Sequence, residues 1–220
     1  MALDKRTVEL ARHEVLSPTL RVSKELLEVH KPILVDNVPL IARTDETREP
    51  GAFYFYFRLE DEPYYLVVVV RPEGKAMAVA GAYVEAAIRV FLLVKSEELS
   101  AEEITQRLGL EPTTSQPKGE RLHEKLKPLT QTRWQFEPDK DLPEELGRKL
   151  DLLLDQLEGA RERIAKLAKE CHVAIHICYE GYKEWMGGWV VQTTTFRRIA
   201  ELGVHVELDL YACGPDPCLS

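Results

Sequence analysis

Six side chains in the last fifty residues have the types a metal centre or an acid–base site would need: His172, His176, Cys178, His205, Glu207 and Asp209. Imidazole and thiolate suit zinc, and the two carboxylates could complete a ligand set or act as a base. The spacing restrains that reading. On a strand over 171–179, His172 and His176 stand roughly 13 Å apart, too far to share one tetrahedral centre. The chain has no CxxC pair and no HExxH element. No serine sits in a GxSxG elbow, and no cysteine–histidine pair has a third group that the sequence can place. The plainer reading of the same residues is a half-exposed sheet face carrying polar groups, with no catalytic residue and no cofactor.

A second set of residues suits contact with a partner. Tyr54 and Tyr56 alternate within FYFYF and would form an exposed aromatic stripe if the strand's other face is buried, although aromatic strands also serve simply as packing. Trp185 and Trp189 lie in the glycine-flanked GYKEWMGGWV, where they offer rigid contact area, or where Trp189 folds back as a lid on the core. Thr113, Thr114, Ser115 and Lys118 could form an anion-binding turn. The stretch lacks the glycine spacing of a phosphate loop, and an ordered structural loop is the expectation.

The elements that must position these groups follow from periodicity. In IRVFLLVKS, 88–96, Ile88, Val90, Leu92 and Val94 share one wholly apolar face. Ser100 and Glu103 have the spacing of a capping box, and Gly109 suits a left-handed stop to a helix over 101–108. A strand is expected at 132–137. A helix entered at Pro143 would run to about 169, roughly 40 Å long, with a bend or close contact at Gly159. Its seam of Leu146, Leu150, Leu153, Leu157, Ala160, Ile164 and Leu167 should cross a sheet, and it also admits a dimeric coiled coil. Strand 171–179, helix 195–202 and strand 204–211 follow, the last with Val204, Val206, Leu208 and Leu210 facing the core. The order from residue 88 predicts an α+β domain: a ferredoxin-like split β-α-β antiparallel sheet with helices on one face.

Before it, 3–16 and 23–30 permit short helices, 33–50 reads as irregular, and 52–59 with 64–71 form an aromatic β-hairpin, followed by a short strand at 75–79. The organisational break is placed at 85/86, dividing an N-terminal α/β extension, 1–85, from the α+β domain, 86–220.

The chain has 220 residues, 45% hydrophobic and 30% charged, which fits a folded protein with its own core. A net charge of −8 argues against general nucleic-acid binding and would suit a basic partner. Cys171 and Cys178, seven apart in one strand, point to opposite faces and cannot bridge, whereas Cys213 and Cys218 could. With no leader and no long apolar span, a cytoplasmic chain with reduced thiols and no membrane contact is expected.

The stretches RVFLLVKSEELSAEEITQRLGLEPTTSQPKGE, CHVAIHICYEG and FRRIAELGVHVELDLY, with the strand around Trp134 and the leucine-rich helix, resemble a bacterial family catalogued as domain-of-unknown-function family 4279. The resemblance covers a little over half the chain and carries no catalytic residues. It implies an association with polymorphic toxin systems, in which an immunity protein binds and occludes its cognate toxin. A non-catalytic protein-binding module is therefore expected, with Tyr54, Tyr56, Trp185 and Trp189 as contacts. A metal-dependent enzyme using the histidine-bearing face is the alternative reading, and a homo-oligomer is a third.

Overall fold

A computed structural model describes residues 3–121, 123–124, 127–138, 140 and 142–216. In chain order its elements are α1 (Lys5–Leu16), α2 (Arg21–Val29), β1 (Leu34–Val35), β2 (Val38–Pro39), β3 (Ile41–Asp45), β4 (Phe53–Arg58), β5 (Tyr65–Glu73), β6 (Ala76–Glu85), β7 (Ala87–Ser96), α3 (Ala101–Leu108), β8 (Thr114–Gln116), β9 (Thr132–Phe136), α4 (Leu146–Leu157), α5 (Arg161–Leu167), β10 (His172–Tyr182), α6 (Thr193–Leu202) and β11 (His205–Cys213). The fold is α+β. The described residues form two units: one from Met1–Ala87, Glu180–Gly188 and Leu210–Ser220, the other from Ile88–Tyr179 and Trp189–Asp209.

The first unit is built on the antiparallel sheet β3-β4-β5-β6. The expected hairpin pairs Phe53 with Val70 and Phe57 with Leu66. Phe53, Phe55, Phe57, Leu66, Val68 and Val70 form one buried face beneath Ala11 and Val15 of α1 and Leu26 of α2. The other face carries Tyr56, Tyr65 and Val67, also buried. Both faces of β5 are covered, as its unbroken valine run requires. Glu14 joins the two helices: its carboxylate, 2% exposed, accepts from Thr19 N, Thr19 Oγ1 and Leu20 N. Burial opposes its charge, but those hydrogen bonds prevail and hold it below the usual carboxylate range. His30 closes the end of α2, with Nδ1 2.9 Å from the Leu26 carbonyl and Nε2 2.5 Å from the Tyr64 hydroxyl. A carbonyl only accepts, so Nδ1 carries a proton.

Residues 33–50 are not irregular. Asp36 and Asn37, with φ 52° and 62°, turn β1 into β2, and β3 adds to the sheet edge. Two consecutive positive φ values make the turn of a tight hairpin, for which Asp and Asn are suited. The strand expected at 75–79 extends to Glu85. Tyr182 and Trp185, far along the chain, also pack into the first unit's core. Gly214 (φ 96°) lies directly against Tyr64 and Tyr182, so the chain returns there after the second unit.

The second unit is built on the sheet β11-β10-β7-β9-β8. All four strands expected after residue 88 share it. β8 is an addition: it pairs antiparallel with β9, Ser115 opposite Trp134, within the stretch read as a loop. Three polar residues carry no apolar alternation that would announce a strand. Helix α3 begins with the predicted capping box, Ser100 N donating to Glu103 Oε2 at 2.8 Å and Glu103 N to Ser100 Oγ at 3.2 Å, and ends at Gly109, φ 62°. Trp134, fully buried, donates from Nε1 to Thr105 Oγ1 at 3.0 Å and ties α3 to the sheet.

The long helix is divided. It starts at Leu146 rather than Pro143, and a 3₁₀ turn at Glu158–Ala160 separates α4 from α5. Every residue of the predicted seam, from Leu146 to Leu167, is at most 2% exposed within the single chain. No face is left there for a coiled coil. Among the described residues, Cys171, Cys178 and Cys213 form no disulfide with one another; the bridge considered between Cys213 and Cys218 involves a residue outside those described. Among the described residues, no helix is long and apolar enough to cross a membrane.

Candidate functional site

The histidine-bearing face of the second unit is assembled from three strands. β7 supplies Phe91 and Lys95, β10 supplies His172 and His176, and β11 supplies Glu207 and Asp209. His172 Nε2 lies 2.6 Å from Glu207 Oε1, and His176 Nδ1 lies 3.0 Å from Glu207 Oε2. The two histidines, four apart on a strand, thus reach one carboxylate from its two sides. His176 Nε2 is 3.1 Å from Asp209 Oδ2, and Lys95 Nζ donates to Glu207 Oε2 at 3.3 Å. His176 stacks on Phe91 with centroids 4.8 Å apart, and His172 on His205 at 5.2 Å. Burial raises the cost of ionising Glu207, but hydrogen bonds from His176, His172 and Lys95 outweigh it and bring its carboxyl down to about 2.

Five of the six candidates are therefore brought together: His172, His176, His205, Glu207 and Asp209. Cys178 follows on the same strand, half-buried. What this cluster does chemically is hold β11 against β10. Each histidine bond ends on a different carboxylate oxygen, and both bonds of His176 form at once only when both ring nitrogens carry protons. Among the described residues, no group of three or more His, Cys, Asp or Glu side chains is arranged to hold a metal ion. Lys95 and Phe91 complete the cluster. Their alternation on β7 put them on the appropriate face, yet only the strand order could bring them beside β10.

The partner candidates are distributed differently. Tyr56 is fully buried, not part of an exposed stripe. Its hydroxyl has no hydrogen-bond partner among the described residues, and burial pushes its pKa up. Its ring lies under Arg43 and Arg48, at 5.7 and 5.5 Å. These arginines ion-pair with Asp45, and Arg48 also meets Glu85, so this sheet face carries a compensated charge network that the sequence did not announce. Tyr54 is partly exposed, with Arg48 over its ring. Trp185 is half-buried against Tyr182 in the first unit. Trp189 belongs to the second unit, where it leans on Tyr179 at 5.0 Å yet remains 37% exposed. Of the two readings, the contact with Tyr179 is the one seen within the chain.

The residues missed were apolar ones assigned to the core. Val206 and Leu208 are 48% and 43% exposed, because β11 is the end strand of its sheet. Leu210, expected on the same buried face, is also exposed. Val190 and Phe196, to which the pattern assigned no face, are 75% and 55% exposed. A period-two pattern marks the face of a strand but does not say which face has a neighbour. The stretch 113–118 is tied to its neighbours: Glu137 N donates to Thr113 Oγ1 and Lys118 Nζ donates to the Glu97 carbonyl.

The sequence profile of a family described as "Domain of unknown function (DUF4279)" matches residues 86–213, more than half of the chain. No curated protein and no solved structure matches it.

Proposed function

The chain belongs to the DUF4279 family, and we propose that it works by binding another protein, as an immunity protein that occludes its cognate toxin. The observation that carries this reading is the concentration of exposed apolar side chains late in the chain. Of the large hydrophobics that stand exposed among the described residues, Met186, Trp189, Val190, Phe196, Val206, Leu208, Leu210 and Tyr211 all follow residue 185. Within the second unit, Trp189, Val190, Phe196, Val206 and Leu208 remain in water while its leucine seam is fully buried. Aromatic and large aliphatic groups left in solvent are what a partner's surface would cover. The net charge of −8 favours a basic partner and speeds its approach.

The test is complex formation between the purified chain and a toxin domain encoded beside its gene. Light scattering coupled to size exclusion is expected to give one stoichiometric species, and co-expression is expected to restore growth. Separate elution of the two proteins with no protection of growth would refute the proposal.

A further inference from the structure

We infer that the outer edge of β11 takes up an extended segment of a partner protein, one whose side chains alternate cationic and apolar, as a further strand of the sheet. This rests on the protein-binding reading and assigns it a place.

The two edges of the five-stranded sheet are built differently. β8 is three residues long and runs into Pro117 and Lys118, the features that normally blunt an edge. β11 runs nine residues, His205–Cys213, without a proline, lysine or glycine. Among the described strands it pairs only with β10, so along its second-unit part, 205–209, alternate backbone N–H and C=O groups of the other side point outward. Its side chains offer two unlike faces. Val206 and Leu208 lie on one, nearly half exposed. His205, Glu207 and Asp209 lie on the other. Asp209, its side chain 49% exposed, uses Oδ2 for His176, and among the described residues Oδ1 is left for a cation from outside.

Charge decides the occupant. A second copy pairing antiparallel with this edge, centred on 207, 208 or 209, would set Glu207 against Glu207, Glu207 against Asp209, or Asp209 against Asp209. Like charges directly opposite are destabilising. A strand with lysine or arginine facing Asp209 and apolar residues facing Val206 and Leu208 meets both faces, and the net charge of −8 draws it in.

Fluorescently labelled nine-residue peptides alternating Lys with Val, or Glu with Val, are titrated into the full chain and into Leu208→Lys, Asp209→Lys and Leu34→Lys variants. Leu34 is exposed in the first unit and serves as the control. The Lys-Val peptide is expected to bind and to slow amide exchange at 205–209. Its affinity should fall about tenfold or more in Leu208→Lys and in Asp209→Lys and stay unchanged in Leu34→Lys. Equal binding of the Glu-Val peptide, an equal loss in Leu34→Lys, no binding at all, or a peptide-free dimer with β11 protected would each overturn the inference. Capture of the neighbouring toxin domain by the wild-type and Leu208→Lys chains alike would overturn it while leaving protein binding intact. Absence of any complex with the wild-type chain would instead remove the protein-binding reading.

Discussion

Glu207 is the residue on which the second unit's polar face converges, and its titration should show it. With its carboxyl held near 2 against an ordinary value of 4.5, it stabilises the fold fully above about pH 4.5, and that contribution is lost as pH falls through about 2. Glu207→Gln should therefore cost on the order of 1 kcal/mol near neutrality, allowing for solvent screening, and the gap to wild type in urea unfolding should close toward pH 2. His176→Ala should raise the Glu207 carboxyl midpoint followed by carbon NMR. Tyr56 makes the opposite prediction. Its buried hydroxyl has no hydrogen bond among the described residues, so Tyr56→Phe should be neutral or stabilising within about 1 kcal/mol by urea midpoint. At this scale the histidine cluster was legible as a face but not as a contact set: the 172–176 spacing excluded one shared ligand point, yet a carboxylate from β11 spans the gap with two oxygens.

The helices show where local signals sufficed. Ser100, Glu103 and Gly109 defined α3 from sequence because capping is settled within a few residues. Ser100→Ala should cost about 1 kcal/mol of stability, measured by chemical denaturation. Two glycines should respond with opposite signs. Gly109 sits at φ 62° with Arg163 3.4 Å from an added Cβ, so alanine there should destabilise. Gly159 is not left-handed and has nothing within 4 Å of its added Cβ, so Gly159→Ala should stabilise by up to about 1 kcal/mol and raise helical circular dichroism. The division of α4 from α5 was not legible, since the apolar period continues through it. The strands at 34–45 and 114–116 escaped for a related reason: short, polar or proline-bearing segments become strands through their neighbours.

For the whole molecule, the strands near 90, 134, 175 and 208 do share one sheet, as the alternation of their residues implied. What the pattern could not reveal was which strand would end it. That one fact turns Val206 and Leu208 from core residues into surface and underlies the proposed binding role. The most direct test is hydrogen–deuterium exchange on the full chain, alone and with the toxin domain encoded beside its gene. The account predicts slowed exchange at 189–209, with β11 strongest and the α4–α5 segment unchanged. Complex formation with protection confined to other segments, and none at 189–209, would contradict it.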